Sequence, residues 1–362
     1  MSVSVGSVLG GGSSLVQQLV ADGGKIRSQV DTLTDQASSG LIARSYAGLG
    51  EGAATALSLN PQVASLQTWQ TNIDQATGMM TVTQTAMTQI QSIAATFLAD
   101  TAKLSQTYPT EIDSVAADAR SALQQLAGLL DTKYGDVYVF AGQDSANPPV
   151  PNPDGILSSG FYTQINTAVT SLSANGAAAT AASTLAVASS NASGTSPFSA
   201  YLSQAAASLS APVVQVGAQQ TVAYGMLASA NSAAVSTGSS TTGSYIRDLM
   251  RGLATLGSLS SSQVNDAGFA DLVEDTRSSL SGAVTAMATD AGVMGDRQTS
   301  LTTIQTQLAD TQTALTGQIS NVQDVDMAKV LSELTQTNTR LQASYQLLST
   351  ESSLTLVKFL SS

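Results

Sequence analysis

Apolar residues recur at alternating steps of three and four along the N-terminal third of the chain, and this spacing predicts three amphipathic helices. The first helix is expected at about residues 16–37. The second is expected to begin at Asn60-Pro61, because Asn is a good N-cap and Pro suits the first helical position. The third is expected to begin at Thr110, with Asp113 at the acidic position of a capping box.

The same spacing fills the C-terminal part of the chain. One stripe runs from Phe269 to Val322 and predicts a single helix of about 55 residues, roughly 80 Å long. It breaks at Asp324-Val325-Asp326, where Asp326 is expected to cap the N-terminus of a last helix, 327–359. Heptads sustained over this length favour coiled-coil or rod-like packing.

The middle of the chain has a different composition. No charged residue lies between Gly155 and Ile246, and six of the eight prolines fall between Pro148 and Pro212. Because charged, proline-poor segments flank it on both sides, this stretch is predicted to be a domain inserted between the two parts of one helical domain.

Short β-prone runs and a low-complexity run occupy this middle region. Strands are predicted at 136–140 and as a pair around Gly217, at 212–217 and 221–224. The run 171–196 consists mostly of Ala, Ser, Thr, Gly and Asn, so it is expected to be mobile or loosely packed. A helix is predicted to resume near Tyr245.

These elements define the predicted fold class. It is mainly α, an elongated helical bundle or coiled-coil rod formed by both chain ends, with an inserted small β-containing domain. The predicted domains are residues 1–145, the N-terminal helical part; 146–244, a β-rich and low-complexity outer domain; and 245–362, the C-terminal helical part.

Composition narrows the possible functions. The 362 residues carry 13 Lys and Arg against 25 Asp and Glu, a formal net charge of −12. This balance argues against nucleic-acid binding and against anionic membrane surfaces, which both need basic patches. The sequence has no window of about 18 apolar residues, so no membrane insertion is expected. The N-terminus lacks the basic and apolar regions of a secretory signal, which indicates a cytosolic protein or export without a cleaved signal.

Candidate catalytic groups are few. The chain has no His and no Cys, which removes the commonest general base, thiolate chemistry and the usual zinc ligands. The glycine-rich turn 48–52 does not match a phosphate-binding spacing. Asp324 and Asp326 lack further oxygen ligands at the spacing of a calcium loop. We therefore expect no enzymatic activity, no cofactor and no metal site.

The first and last helices carry apolar stripes at positions where a single terminal helix would fray. Their apolar faces need a partner, and if that partner is a neighbouring copy, the protein is a polymer subunit. Asn338 lies within the C-terminal stripe, either tolerated near solvent or specifying register as buried polar residues do in coiled coils.

Short passages near both chain ends match a known pattern. Gln36-Ala37-Ser38-Ser39-Gly40 is similar to a Gln-x-Ser-Ser-Gly stretch that ends an N-terminal helix, and Gln323–Ala328 is similar to a C-terminal signature. On these residues the sequence resembles the bacterial flagellins and their relatives. It departs from them after Gly40, where Ser45-Tyr46-Ala47-Gly48 replaces a Ser-Asp-Asp-Pro-Ala-Gly stretch.

Further passages separate two branches of that family. Tyr138-Val139-Phe140-Ala141-Gly142, followed by Pro148-Pro149, resembles a passage of its hook–filament junction members (hook-associated protein 3), as does the ending 354–360. Asp326-Met327-Ala328 is more similar to filament flagellins. The resemblance thus implies a junction protein that joins hook to filament, with filament flagellin as the alternative.

The resemblance also implies a location and partners. The location is the extracellular part of the flagellum, which the chain reaches by type III export without a cleaved signal peptide. The partners are neighbouring copies of the chain, a hook-side junction protein, flagellin and a cytoplasmic export chaperone. In this family the terminal helices are disordered in the free subunit and form a coaxial coiled coil on polymerisation. That role is carried onto an assembly interface of Val16, Leu19, Ile26, Val30, Leu33, Leu331, Leu334, Leu341, Tyr345, Leu348, Leu356 and Phe359.

One reading of a different class stays open. The Ser- and Thr-rich middle of the chain also suits a secreted adhesin or a type III effector carried on a helical stalk. Such a protein would bind a host or surface ligand, and its loss would leave motility unchanged.

Overall fold

The computed structural model describes residues 11–104 and 109–360, which form eight α-helices and two antiparallel two-stranded sheets. The helices are α1 (Gly11–Ser39), α2 (Gly52–Leu104), α3 (Pro109–Leu130), α4 (Gly160–Thr170), α5 (Leu172–Ser189), α6 (Tyr245–Gly257), α7 (Phe269–Gln323) and α8 (Met327–Leu360). The strands are β1 (Lys133–Tyr134) with β2 (Val137–Tyr138), and β3 (Val213–Gln215) with β4 (Thr221–Ala223). The predicted mainly α fold is confirmed. In the described ranges, no helix has both the length and the apolar character that crossing a bilayer requires.

The two C-terminal helices begin and end where the stripe predicts. α7 contains 55 residues and ends one residue before Asp324. The side chain of Asp326 accepts hydrogen bonds from the amides of Ala328 and Lys329, at 3.0 and 3.1 Å. These amides have no partner within the helix, so the carboxylate satisfies them and favours the positive end of the helix dipole. The predicted cap of α8 is confirmed.

The predicted start of the second helix is wrong. α2 begins at Gly52, and Pro61 lies inside it. A proline within a helix removes one amide hydrogen bond, here the bond to the carbonyl of Leu57. Leu57 is 60% exposed and Pro61 is exposed as well, so water can replace that bond. Asn60 is therefore not an N-cap, and its side-chain amide donates to the hydroxyl of Tyr46 at 3.3 Å.

The predicted capping box of the third helix depends on the Thr110 side chain, which lies outside the described residues, so it stays a prediction. α3 begins at Pro109, and the carboxylate of Asp113 accepts a hydrogen bond from the amide of Ser261 at 2.8 Å. This contact, made 148 residues along the chain, holds the pKa of Asp113 below its usual value. Asp113 thus links α3 to the short turn that contains Ser261.

Contacts divide the chain into two compact units. The terminal unit comprises the described residues of Met1–Leu66 and Asp310–Ser362, and the central unit comprises those of Gln67–Ala309. α2 and α7 contribute to both units. The predicted three-part division stays a prediction; residues 146–244 contain α4 and α5 as well as β3 and β4, and they belong to the central unit.

The hydrophobic core lies in the central unit. Its buried members run from Ile73 on α2 to Leu301 on α7 and include Phe140 and Phe161, each 1% exposed. α6 runs through this core and is buried on every side, including Arg247, Asp248 and Arg251. The sequence predicted the helix but only one buried face.

The buried carboxylate of Asp290 ties α7 to α6 and to the segment before it. Asp290 on α7 accepts from the amides of Ser232, Ala233 and Ala234, each at 2.8 Å, and from the hydroxyl of Tyr245 at 3.0 Å. Burial and the neighbouring carboxylate raise the pKa of Tyr245 well above its usual value. A buried carboxylate with four donors fixes the segment before α6, because leaving any donor unpaired costs free energy.

The low-complexity run is ordered, which corrects the expectation of a mobile or loosely packed segment. α5 occupies most of 171–196, with an interruption at Gly176, where φ is 75°. Alanine has the highest helix propensity, and small side chains let neighbouring backbones approach closely. Thr184 and Ala188 are buried, and Ala188 accepts a hydrogen bond from Arg247. The predicted strand pair around Gly217 is confirmed as β3 and β4.

Candidate functional site

The first and last helices form a pair within the terminal unit. α1 and α8 pack against each other along their apolar faces. Leu33 on α1 and Val330 and Thr337 on α8 are buried, at 5%, 6% and 5% exposure. The Thr337 hydroxyl donates to the carbonyl of Glu333 at 2.7 Å, so its polar atom is satisfied within α8. Part of each terminal stripe is thus covered inside a single chain.

Main-chain hydrogen bonds join the segment that follows α1 to the segment between α7 and α8. The amide of Ile42 donates to the carbonyl of Gln323 at 2.7 Å, and the amide of Val325 donates to the carbonyl of Gly40 at 2.9 Å. The side chain of Gln36 donates to the carbonyl of Ile42 at 2.9 Å. The chain segments that follow α1 and α7 are therefore aligned, which sets the direction in which α8 returns along α1.

The predicted interface residues fall into four groups. Leu33 is buried, and Leu331 and Tyr345 are 50% and 49% exposed. The side chains of three residues, Val16, Leu356 and Phe359, lie outside the described part of the chain. The remaining six are half-buried along the α1–α8 contact: Leu19, Ile26, Val30, Leu334, Leu341 and Leu348.

Apolar side chains on the surface are concentrated in the terminal unit. Large apolar residues seldom stand exposed in a group unless another molecule covers them. Among the side chains that the structure describes, eleven large apolar residues are exposed, and only Tyr134, Val213 and Val235 of these belong to the central unit. The other eight lie in the terminal unit: Val20, Ile42, Tyr46, Leu57, Met327, Leu331, Tyr345 and Leu347.

Three of these positions on the paired helices, Val20, Met327 and Leu347, are absent from the predicted interface. Val20 follows Leu19, and Leu347 precedes Leu348, so each forms an apolar doublet with a stripe residue. A doublet widens an apolar stripe beyond one seam. Val20 is 56% exposed and Leu347 is 62% exposed. The doublets were the available signal that these helices have more apolar surface than a two-helix contact can cover.

Charge contributes little to this surface. The ion pairs of the terminal unit, Lys25 with Asp22 and Arg44 with Asp35, are at 3.2 and 2.8 Å, and their side chains are more than half exposed. Exposed pairs of this kind are worth at most about 1 kcal/mol. In the described residues no group of three or more acidic, His or Cys side chains could hold a metal ion. The chemistry that this surface offers is association through apolar contact.

Comparison with known protein families identifies the two helical flanks. Residues 15–145 match the bacterial flagellin N-terminal helical region, and residues 278–360 match the bacterial flagellin C-terminal helical region. No curated protein matches the chain significantly. The matched regions contain α1 to α3 and β1–β2 at one end, and most of α7 with α8 at the other.

These matches define the class of protein as a structural, non-enzymatic subunit that self-assembles into flagellar polymers. Together they cover more than half of the chain, and the protein belongs to the bacterial flagellin family. Membership implies an extracellular component of the bacterial flagellum with a role in motility.

Proposed function

We propose that the protein is the hook–filament junction subunit of a bacterial flagellum and joins hook to filament by packing of its terminal helices. The observation that carries the proposal is the group of exposed apolar residues in the terminal unit, on helices that the family uses for assembly. Burying a fully exposed Leu or Val side chain contributes about 1.5–3 kcal/mol. Several such residues per copy supply a strong drive for association.

The proposed assembly interface has two parts. The half-buried residues Ile26, Leu334 and Leu341 hold α1 against α8 and shape the paired surface. The exposed residues Leu331 and Tyr345, with Val20 and Leu347, make the contact with a neighbouring copy. Val16, Leu356 and Phe359, whose side chains lie outside the described residues, are included in the proposed interface on the sequence pattern alone.

The junction branch is favoured by a passage in the central unit. Phe140 is 1% exposed, and its carbonyl accepts from the amide of Ala228 at 2.9 Å. Gly142 has φ 68°, and a Cβ there would overlap the side chain of Leu227. The passage 138–142 that resembles junction proteins is thus a packed part of this fold, in which Phe140 is buried and Gly142 leaves no room for a Cβ.

The proposed route and partners follow from this role. The chain leaves the cell through the flagellar type III channel without a cleaved signal peptide, held before export by a cytoplasmic chaperone. In the flagellum it contacts copies of itself, a hook-side junction protein and flagellin. The lack of Cys supports such a route, since no disulfide can form in transit.

Deletion of the gene tests the proposal. A strain without the protein should build hooks that carry no filaments and should release flagellin into the medium, and a plasmid copy should restore filaments. Electron microscopy of the cells and flagellin measurement in the supernatant give the result. Intact filaments in the deletion strain would contradict the junction role.

Filament flagellin is the second candidate, favoured by the Asp326-Met327-Ala328 passage at the start of α8. Purified protein added to filament seeds distinguishes the two. A filament flagellin extends the seeds into long filaments, whereas a junction protein stops after a short segment.

A further inference from the structure

A cavity of about 550 Å³ lies in the central unit, and none of the residues proposed for assembly line it. Its walls come from the end of α5 and the loop after it, the segment 229–235, and the start of α6. Asn191, Asn231, Thr242 and Gln204 contribute amide and hydroxyl groups to the lining, and Leu209 and Val235 contribute apolar surface. Cavities of this size and mixed lining are typical of small-molecule sites.

Arg247, which is 8% exposed, is one of the residues that line the cavity. Its Nε donates to the carbonyl of Ser229 at 3.1 Å, Nη1 donates to the carbonyls of Ala188 and Ser190 at 3.0 and 3.4 Å, and Nη2 donates to Oδ1 of Asn191 at 2.7 Å. The group also stands over the Phe198 ring, 5.1 Å from its centre. Every one of these acceptors is neutral.

Arg247 has no acidic partner in the described part of the chain. No carboxylate there lies within 4 Å of its nitrogens. Arg251, one turn further along α6, is 2% exposed and does have one, since its Nη1 is 3.3 Å from Asp275. A buried cation normally has an anion beside it, so the contrast within one helix marks Arg247 as a cation without its counter-charge. Burial also lowers the pKa of Arg247, although an arginine stays charged at neutral pH.

Two of the residues that line the cavity have a buried hydroxyl without a hydrogen-bond partner. Among the described side chains, the buried polar atoms without a hydrogen-bond partner are Oγ of Ser229, Ser236 and Ser244 and Nε of Arg251. Ser229 and Ser244 are both residues of the cavity wall, 5% and 7% exposed. Buried polar groups are nearly always paired, and exceptions call for an explanation such as a missing ligand.

We propose that this cavity binds a small hydroxylated carboxylate of the sugar-acid class, with its carboxylate at Arg247. Nη2 of Arg247 has two N–H groups and uses one on Asn191, which leaves one for a carboxylate oxygen. A guanidinium is the side chain best suited to carboxylates, and Gln204, an exposed residue of the lining, offers an amide to the hydroxyls of a sugar. The inference concerns the central unit alone and does not depend on the proposed junction role.

Calorimetry on the purified full-length protein tests the site with three probes. Glucuronate carries both a carboxylate and hydroxyls, glucose lacks the carboxylate, and acetate lacks the hydroxyls. We expect glucuronate to bind about tenfold or more tightly than either of the others, a difference of about 1.4 kcal/mol. No heat of binding with glucuronate at about 10 mM, or equal affinity for glucose or acetate, would overturn the proposal.

A matched pair of variants locates the binding. Ala206 is exposed and lines the cavity, so Ala206→Asp adds an anion to the wall, and Ala206→Asn adds nearly the same volume without charge. Ala206→Asp should weaken glucuronate binding about tenfold through like-charge repulsion, and Ala206→Asn should change it by less than about threefold. Equal affinities in the two variants would place the ligand elsewhere.

Arg247→Gln tests the guanidinium directly. It should abolish the preference for glucuronate over glucose. Fluorescence of Trp69, the single tryptophan, reports whether the central unit of this variant is folded. If Arg247→Gln does not fold, the Ala206 pair still decides the proposal; if it folds and keeps the preference, the proposal is wrong.

Discussion

The amide of Val325 donates a hydrogen bond to the carbonyl of Gly40 at 2.9 Å and so joins two residues 285 positions apart in the chain. Gly40 ends the turn after α1 with φ +74°, a conformation that an L-residue with a Cβ adopts only at a cost. No atom lies within 4 Å of where a Cβ would stand. The cost of a side chain at this position is therefore conformational and not a clash.

Gly40→Ala should lower the free energy of opening the hydrogen-bonded contact between the segments after α1 and α7 by about 1 kcal/mol. Native-state hydrogen exchange should show the amides of Ile42 and Val325 exchanging about fivefold faster, because these amides make the affected hydrogen bonds. Gly24→Ala is the matched control. Gly24 lies inside α1 with open space around it, so its replacement should stabilise the helix. Equal exchange in the two variants would refute the argument.

A second glycine is required for packing. Gly282 lies on α7, and a Cβ there would overlap the carbonyl of Thr237 in the loop before α6. Gly282→Ala should lower the free energy of unfolding of the central unit by about 1–3 kcal/mol, because backbone cannot move aside as a side chain can. Urea denaturation followed by Trp69 fluorescence measures the change.

The control for this glycine lies on the same helix. Gly292 is exposed and has no neighbour within 4 Å of an added Cβ. Gly292→Ala should raise the free energy of unfolding by about 0.5–1 kcal/mol through helix propensity. If both substitutions moved the urea midpoint in the same direction, the proposed close contact between Thr237 and α7 would be contradicted.

The sequence predicted those helix limits and caps that depend only on residues close to them in the chain. The limits of α7 and the cap at Asp326 follow from heptad spacing and from unpaired amides, which act over a few residues. The partner of Asp113 could not be predicted, because Ser261 lies 148 residues away and both side chains are ordinary surface types. Pro61 was assigned to a helix start because a proline within a helix is rare, yet solvent tolerates it here.

The sequence predicted the apolar stripes of the candidate site but not which of their residues are buried, because burial depends on how the helices pack. A heptad stripe identifies an apolar face but not its centre. The stripe includes Asn338, which is exposed, whereas the adjacent Thr337 is buried because its hydroxyl is satisfied within α8. Arg247 gave no sequence signal at all, since its lack of a carboxylate is a property of the folded central unit.

Acidity should stabilise the central unit through Asp131. Burial raises the pKa of this carboxyl to about 6, although its Oδ1 accepts from the amide of Val150 at 2.9 Å. Between about pH 4 and 6 the folded state therefore binds more protons than the unfolded state. The free energy of unfolding then falls as pH rises through this window, and the cost of the buried charge is fully present at pH 7.

Asp131→Asn should remove that cost and keep an acceptor for Val150. Because the carboxyl is half-buried, we expect a gain of about 1 kcal/mol at pH 7, or a rise in Tm of about 2–4 °C, and none at pH 4. Thermal melts at both pH values measure it. Asp136→Asn, at an exposed position nearby, is the control and should leave Tm unchanged at each pH. A gain of equal size at pH 4 would contradict the assignment.

Charge placed on the α1–α8 contact should stop assembly without unfolding the central unit. Ile26→Asp and Leu341→Asp each introduce an unpaired carboxylate at a half-buried apolar position, at a cost of several kcal/mol when the site is closed. We expect no polymer in seeded electron microscopy, with the Trp69 signal of the folded central unit retained. Ser28→Asp and Gln342→Asp add the same charge at exposed positions of α1 and α8 and should assemble like the unmodified chain. Normal assembly by both Ile26→Asp and Leu341→Asp would refute the proposed interface, because the surface offered to a neighbouring copy depends on α1 being held against α8.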